Sequence, residues 1–505
     1  MNRILLLLAA GLAAALALAI PASSGIIDGF TETVSPEAET NATEPYIAID
    51  HSDGTIYVAW QAGGSHVARS DDGGRSFKTV FAQNDVGDVD IAVGGPVNCV
   101  ADAGHVPSIS CVPGAHRVYL TSLEETPFPL QTHLAYSDDR GQTWTVNQVA
   151  AVHPSLIDRP WLAVYPSKTS ATQDKVYISY HDFSVSQISV AASSDGGDTF
   201  GPSVDVEAFN PVGETQSFCN TVPSGLEVDP QTGEVYVQWI TADPVQNAQG
   251  CDISQNQNFH EVWVGHSTGA VGTGAATATT WDVHEVFDGG PTTNTDKIFA
   301  ALAVDDSGSP LASGNVYSVF SDNLAPPGGE MFDIWFSHSS DRGGTWSQPV
   351  KVNSDKGTHY FPWIVAGTSG RVDFIWLNTP DTIPVDAPEQ DGGSRWYVTF
   401  AQTTNGTSPT PKFNQTSASS SIMHVGGICT NGIFCSLQQP EGNRDLADSI
   451  SIAIDRGGSA GLAWTDQGTE WHGPTHITYG CATSQQTAIV GANQGLSCKG
   501  PASGK

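Results

Sequence analysis

The feature that most constrains this chain is an eight-residue pattern that occurs four times. Its fullest copy is Ser137-Asp138-Asp139-Arg140-Gly141-Gln142-Thr143-Trp144, or S-x-D-x-G-x-T-W. The other copies run from Ser70 to Phe77, Ser193 to Phe200 and Ser339 to Trp346, with Asp72, Asp195 and Asp341 at the acidic position. Each position has a local reason. The Asp carboxylate can accept bonds from the N–H groups of a turn and from the following Thr or Ser hydroxyl. The Gly takes a positive φ that a Cβ would oppose. The ring then plugs the turn into the layer beneath.

The turn belongs to a longer repeat, and long-period repeats point to arrays of one supersecondary unit. Ahead of each copy lies a short alternating strand, a turn and a second strand rich in Val, Tyr and Trp. Pro45 to Asp50 followed by Thr55 to Trp60 is the first such pair, and Pro160 to Val164 with Lys175 to Tyr180 is the third. The pair recurs at Pro107 to Leu120, Gly225 to Trp239, Phe299 to Phe320, Pro362 to Trp376 and Ile450 to Trp464. Helical periodicity is essentially absent. Four short antiparallel strands per cycle predict an all-β chain folded as a seven-bladed β-propeller in a single domain. Ala48, Ala163, Ala303 and Ala453 on the first strands suit the crowded axis of such a ring. Thr403 to Ser421 reads as a long outer-strand excursion.

The four turns resemble the Asp-box, or BNR repeat, of the sialidase-like β-propellers. In that family the box is a structural hairpin, so the resemblance implies the fold and makes six blades, the sialidase number, the alternative count. It also implies a site on the face opposite the boxes. There sialidases grip the carboxylate of sialic acid with three arginines, and use a Tyr nucleophile activated by a Glu beside an Asp acid.

The N-terminus bounds the compartment. Residues 1–22 carry one early positive charge, an apolar run from Ile4 to Ile20 and small residues near Ala19 and Ala22. That is the pattern of a secretory signal peptide, leaving 23–505 as the mature domain, with no later membrane insertion expected. The 53 acidic and 20 basic residues give a net charge of −33 with only 14% charged residues, so the imbalance comes mainly from missing lysine. Such a field repels nucleic acid and anionic lipid. Extracellular glycan or glycoprotein is the expected partner. Eight cysteines in an exported chain read as disulfides, with neighbour pairing the simplest connectivity: Cys99 with Cys111, Cys219 with Cys251, Cys429 with Cys435, Cys481 with Cys498. No zinc-ligand spacing is present, and no cofactor is expected. Structural calcium at Asp305-Asp306-Ser307-Gly308 or along Asp85 to Asp90 stays open.

Topology sorts the arginines. Most fall in the boxes or in the turns on the same face. Arg159, Arg395 and Arg444 fall on the opposite face, and are the candidates for binding a substrate carboxylate by paired guanidinium bonds. The alternative is that each arginine pairs a nearby acid such as Asp158 or Asp445 and holds loops together. For catalysis the resemblance asks for an acid, a nucleophile and its partner. Residues of those types are Asp158 or Asp182 as acid, Tyr180 or Tyr360 as nucleophile, and Glu124 or Glu470 as partner. None lies in a motif that matches the family's catalytic residues. A secreted sialidase-like glycosidase acting on terminal acidic sugars and a non-catalytic propeller binding glycan or protein are therefore both expected readings.

Overall fold

A computed structural model describes residues 31–482 apart from short segments, the longest being 100–110, 252–258, 269–279 and 306–313. Seven four-stranded antiparallel sheets form a ring, and so a β-propeller of seven blades. The innermost strands are Thr43–Ile49, Val89–Pro96, Ile157–Tyr165, Thr221–Val228, Ala301–Val304, Thr358–Ala366 and Ser451–Ile454. Each packs on the inner strand before and after it, and the first closes on the seventh. The ring is sealed by the chain's own start. Thr31–Thr33 pairs antiparallel with His476–Ala482 and supplies the outermost strand of blade seven. The added strand covers the edge of His476–Ala482, leaving a strand of only three residues outermost.

The strand pattern follows from residue chemistry. Second strands carry a large aromatic that fills the seam between blades, and Trp60, Trp239, Trp376 and Trp464 are all fully buried there. Removing a ring of this size typically costs about 3–5 kcal/mol. Inner strands carry small residues where they converge, and Ala92, Ala163 and Gly225 line an axial cavity of about 240 Å³.

The four repeated turns share one hydrogen-bond pattern. Asp139 Oδ1 accepts from the Ser137 hydroxyl at 2.9 Å and the Thr143 N–H at 2.8 Å, and Oδ2 accepts from the Thr143 hydroxyl at 2.7 Å. Asp72, Asp195 and Asp341 hold the same partners in their own turns. Two consecutive residues turn left-handed, Arg140 at φ 61° and Gly141 at φ 79°, with Arg342 at 63° and Gly343 at 82° in the last copy. Paired positive φ values are what a tight hairpin between twisted strands needs. All four turns join third to fourth strands.

One sequence expectation, the start of blade two, needs adjustment. Blade two begins at Val89, well before Pro107, and the Cys99–Cys111 disulfide lies in the connection to its second strand, His116–Glu124. The Cys429–Cys435 disulfide forms as neighbour pairing anticipates. Cys481 is also disulfide-bonded. The side chains of Cys219, Cys251 and Cys498, and residues 1–22, for which a signal peptide is expected, lie outside the described residues. Thr403 to Ser421 contains the fourth strand of blade six, Asn414–Ser417, and stays within that blade.

Candidate functional site at the channel mouth

Three inner strands enter the ring through the same local device. Glu44-Pro45-Tyr46, Arg159-Pro160-Trp161 and Phe361-Pro362-Trp363 each break the ladder at the proline, which has no N–H to give. The residue before each proline is left-handed, at φ 54°, 50° and 54°. Backbone in that region stores strain and re-aims a side chain. The outcome is that Glu44 and Arg159, from blades one and three, meet at 3.2 Å.

Arg159 is the hub. Its side chain is 5% exposed, and it also donates to the Tyr46 hydroxyl and lies 3.7 Å from Asp88. The guanidinium carbon sits 4.5 Å from the centre of the Trp161 ring, 5.0 Å from Tyr46 and 5.2 Å from Phe299. Trp161 in turn stacks on Trp363. A cation among aromatic rings thus plugs the axis from four blades, and stacked guanidinium is favoured in such settings.

Above this plug the mouth is rich in carboxylates. Arg444 from blade seven donates through both terminal nitrogens to Asp448. Burial, then the charges of Asp88 and Asp448, raises Glu44 well above the usual carboxylate range, against the pull of Arg159 and Arg444. Asp158 is pushed up to about 7, first by burial and next by Asp88. Asp90 is likewise pushed up to about 7 by burial, although it accepts bonds from Ile91 N–H and Leu162 N–H and so ties blade two to blade three. The arrangement offers a proton held towards neutral pH on Asp158, beside further carboxyl groups and two fixed cations. That is the raw material of general acid chemistry.

The sequence candidates scatter differently. Asp158, Arg159 and Arg444 come together at the mouth. Arg395 does not join them: it is exposed at the start of the third strand of blade six, opposite Val425. Asp182 ends the second strand of blade three, buried and in register with Ile157, one strand outward from Asp158. Tyr180 is buried in the cluster between blades two and three with Tyr119 and Leu134, and burial pushes its hydroxyl up. Glu124 is buried at the end of the second strand of blade two, accepting from the hydroxyls of Ser122 and Ser65. Tyr360 packs in the core against Phe332 and Trp396. Glu470 lies on an exposed loop of blade seven.

Sequence reasoning missed Glu44, Tyr46, Asp88 and Asp448. The signal for the first two was the repeated x-Pro-aromatic entry, in which the residue before proline is the one turned to the mouth. For metals, Asp305 is buried and accepts from Asn315 and Tyr317, while 306–308 and Asp85 lie outside the described residues. Among the described residues His260, Glu261 and Asp288, at the rim of blade four, bring ligand atoms within 4.8 Å of one another. His260 bonds Asp288 at 2.9 Å, and Glu261 accepts from Trp263 and Gln216.

No protein-family model matches the chain, and no curated protein sequence does. Among solved structures, a Dyadobacter fermentans protein of unknown function aligns at 12% identity and TM-score 0.41, over 89% of this chain and 97% of that one. The phage phi92 endosialidase aligns at 10% identity and TM-score 0.47, over 93% and 71%. An ulvan lyase, a polysaccharide lyase, aligns at 11% identity and TM-score 0.45, over 88% and 95%. Likeness of this degree says nothing of activity.

Proposed function

We propose that this is an exported propeller that acts on glycans at its channel mouth, as a glycoside hydrolase with Asp158 as the proton donor. One observation carries the reading: Asp158 sits beside Arg159, Asp88 and Asp448, with a carboxyl that keeps its proton up to about pH 7. In the reaction, Asp158 gives that proton to the glycosidic oxygen as its bond to the anomeric carbon breaks, and water adds to that carbon while its own proton passes to a carboxylate at the mouth. The other carboxyl groups at the mouth, Asp88 and Asp448 among them, lie on the side where positive charge would develop on the sugar. The four Asp turns support a sialidase-like lineage for the scaffold, and the disulfides fit an oxidising, extracellular compartment. Among the described residues no helix is long and apolar enough to cross a membrane.

The preference for an acidic sugar fares less well. Arg159 and Arg444 already face Glu44 and Asp448, and acids outnumber arginines at the mouth. A substrate carboxylate would have to displace one of them, so a sugar of low charge fits better. The second reading, a propeller that binds glycan without turnover, is favoured by the burial of Tyr46, Tyr180 and Tyr360 away from any nucleophile role. A panel of neutral and acidic aryl glycosides, sialosides included, separates the two. Turnover by the wild type and none by Asp158→Asn supports hydrolysis. Binding with no turnover anywhere in the panel supports the second reading.

A further inference from the structure

Beside the mouth, one loop of blade seven, residues 467–475, forms a ridge between two hollows. The inner hollow, about 600 Å³, is lined by Arg444, Asp445, His472, Thr43 and Gln61. The outer one, about 530 Å³, is lined by Gly468, Glu470, Ser420 and Thr31 among others. Trp471 stands on the ridge between them and is 45% exposed, the largest aromatic left open among the described residues. Large rings are normally covered, and a single open tryptophan flanked by hydrogen-bonding hollows suits a ligand with both an apolar face and hydroxyls.

The platform is built to hold still. The indole lies against Gly426 of blade six, where an added Cβ would come 1.8 Å from its ring. Beneath it runs a chain of hydrogen bonds that starts in the interior and ends at the surface. His424 bonds Gln467 at 2.6 Å, Gln467 donates to Asp445 at 2.7 Å, and Asp445 accepts from His472 at 3.0 Å. The N–H groups of Gln467 and Gly468 both donate to the Met423 carbonyl, anchoring the loop to blade six. Preorganisation of this sort lowers the cost of ordering the loop on binding. The flanking acids Glu470, Asp445 and Asp466, and the net charge of −33, disfavour an anionic ligand.

We propose that an uncharged glycan chain runs from the channel mouth outward over this ridge, with one sugar ring stacked on the open face of Trp471 and its neighbours in the two hollows. The proposal rests on the reading of the mouth as glycan-acting, and names the substrate as a neutral chain longer than a single sugar. It is tested by binding alone. Native gel electrophoresis through soluble galactomannan, xylan, laminarin, dextran and hydroxyethylcellulose, with polysialic acid and polygalacturonate as anionic controls, reads retardation of the full chain. The wild type and Asp158→Asn are expected to be retarded by at least one neutral polymer and by neither anionic one. Trp471→Ala is expected to weaken retardation about tenfold, the order of one lost stacking contact. Trp471→Phe should retain most of it, and Gly426→Ala should lose it by displacing the indole. No retardation by any neutral polymer, retardation by the anionic ones only, or Trp471→Ala binding like the wild type overturns the proposal. Retardation that persists without release of reducing ends leaves the platform standing and refutes the hydrolase reading instead.

Discussion

Asp322 offers a clean test of how these blades handle buried charge. It ends the second strand of blade five, Val316–Asp322, is fully buried, and neither carboxylate oxygen has a hydrogen-bond partner among the described residues. Burial alone pushes it from 3.8 up to about 8. The folded chain therefore keeps a proton that the unfolded chain releases above about pH 4. Folded-state stability is unaffected below that pH and falls as pH rises towards 8, by about 1.4 kcal/mol per unit. The accumulated loss at pH 8 is on the order of 5 kcal/mol. Asp322→Asn keeps the shape and removes the titration. Urea unfolding followed by tryptophan fluorescence should find variant and wild type within about 1 kcal/mol at pH 4.5, and the variant more stable by several kcal/mol at pH 8. A difference that is the same at both pH values would refute the argument, because the carboxyl would then have a partner that ionises it.

Two further outcomes follow from the fold. Asp139→Ala removes three hydrogen bonds from a buried turn and should cost about 3 kcal/mol, while Asp341→Ala in the exposed copy should cost roughly half as much, both read by chemical denaturation. Hydroxyl and N–H bonds hold Asp341 below the usual range, so its contribution is present above about pH 4 and is lost as pH falls further. Deleting residues 31–38 strips the closing strand from His476–Ala482 and the bond from Val34 N–H to the Ile477 carbonyl, and should lower the melting midpoint by about 5 °C or more in calorimetry.

The sequence speaks clearly where structure is local. The bonds from Ser137 and Thr143 to the Asp139 carboxylate span no more than four residues along the chain, so the turn can be read from eight letters. The seven cycles were legible for the same reason, since each blade is one repeated unit. The mouth was not, because it assembles residues as far apart as Glu44 and Asp448 on blades that touch only after the ring closes. Tyr180 is a candidate by residue type, and strand alternation alone does not say whether its face meets the channel or the seam between blades, where it lies. Arg395 lies at an exposed strand start opposite Val425, a placement that depends on where the third strand of blade six begins. Glu44 was passed over because Pro45 reads as a strand boundary, when the bulge it creates is what turns the preceding residue inward.

Asp158, as the proton donor to a glycan at the mouth, is the residue on which the proposed reaction turns. The most direct measurement is the pH dependence of kcat/KM for release of reducing sugar from the neutral polymer that retards the protein, for the wild type and Asp158→Asn. That role predicts a rate that falls as pH rises through about 7, where Asp158 loses its proton, and no measurable release by the variant. Release by Asp158→Asn at the wild-type rate, or a rate that climbs through pH 7, would contradict it.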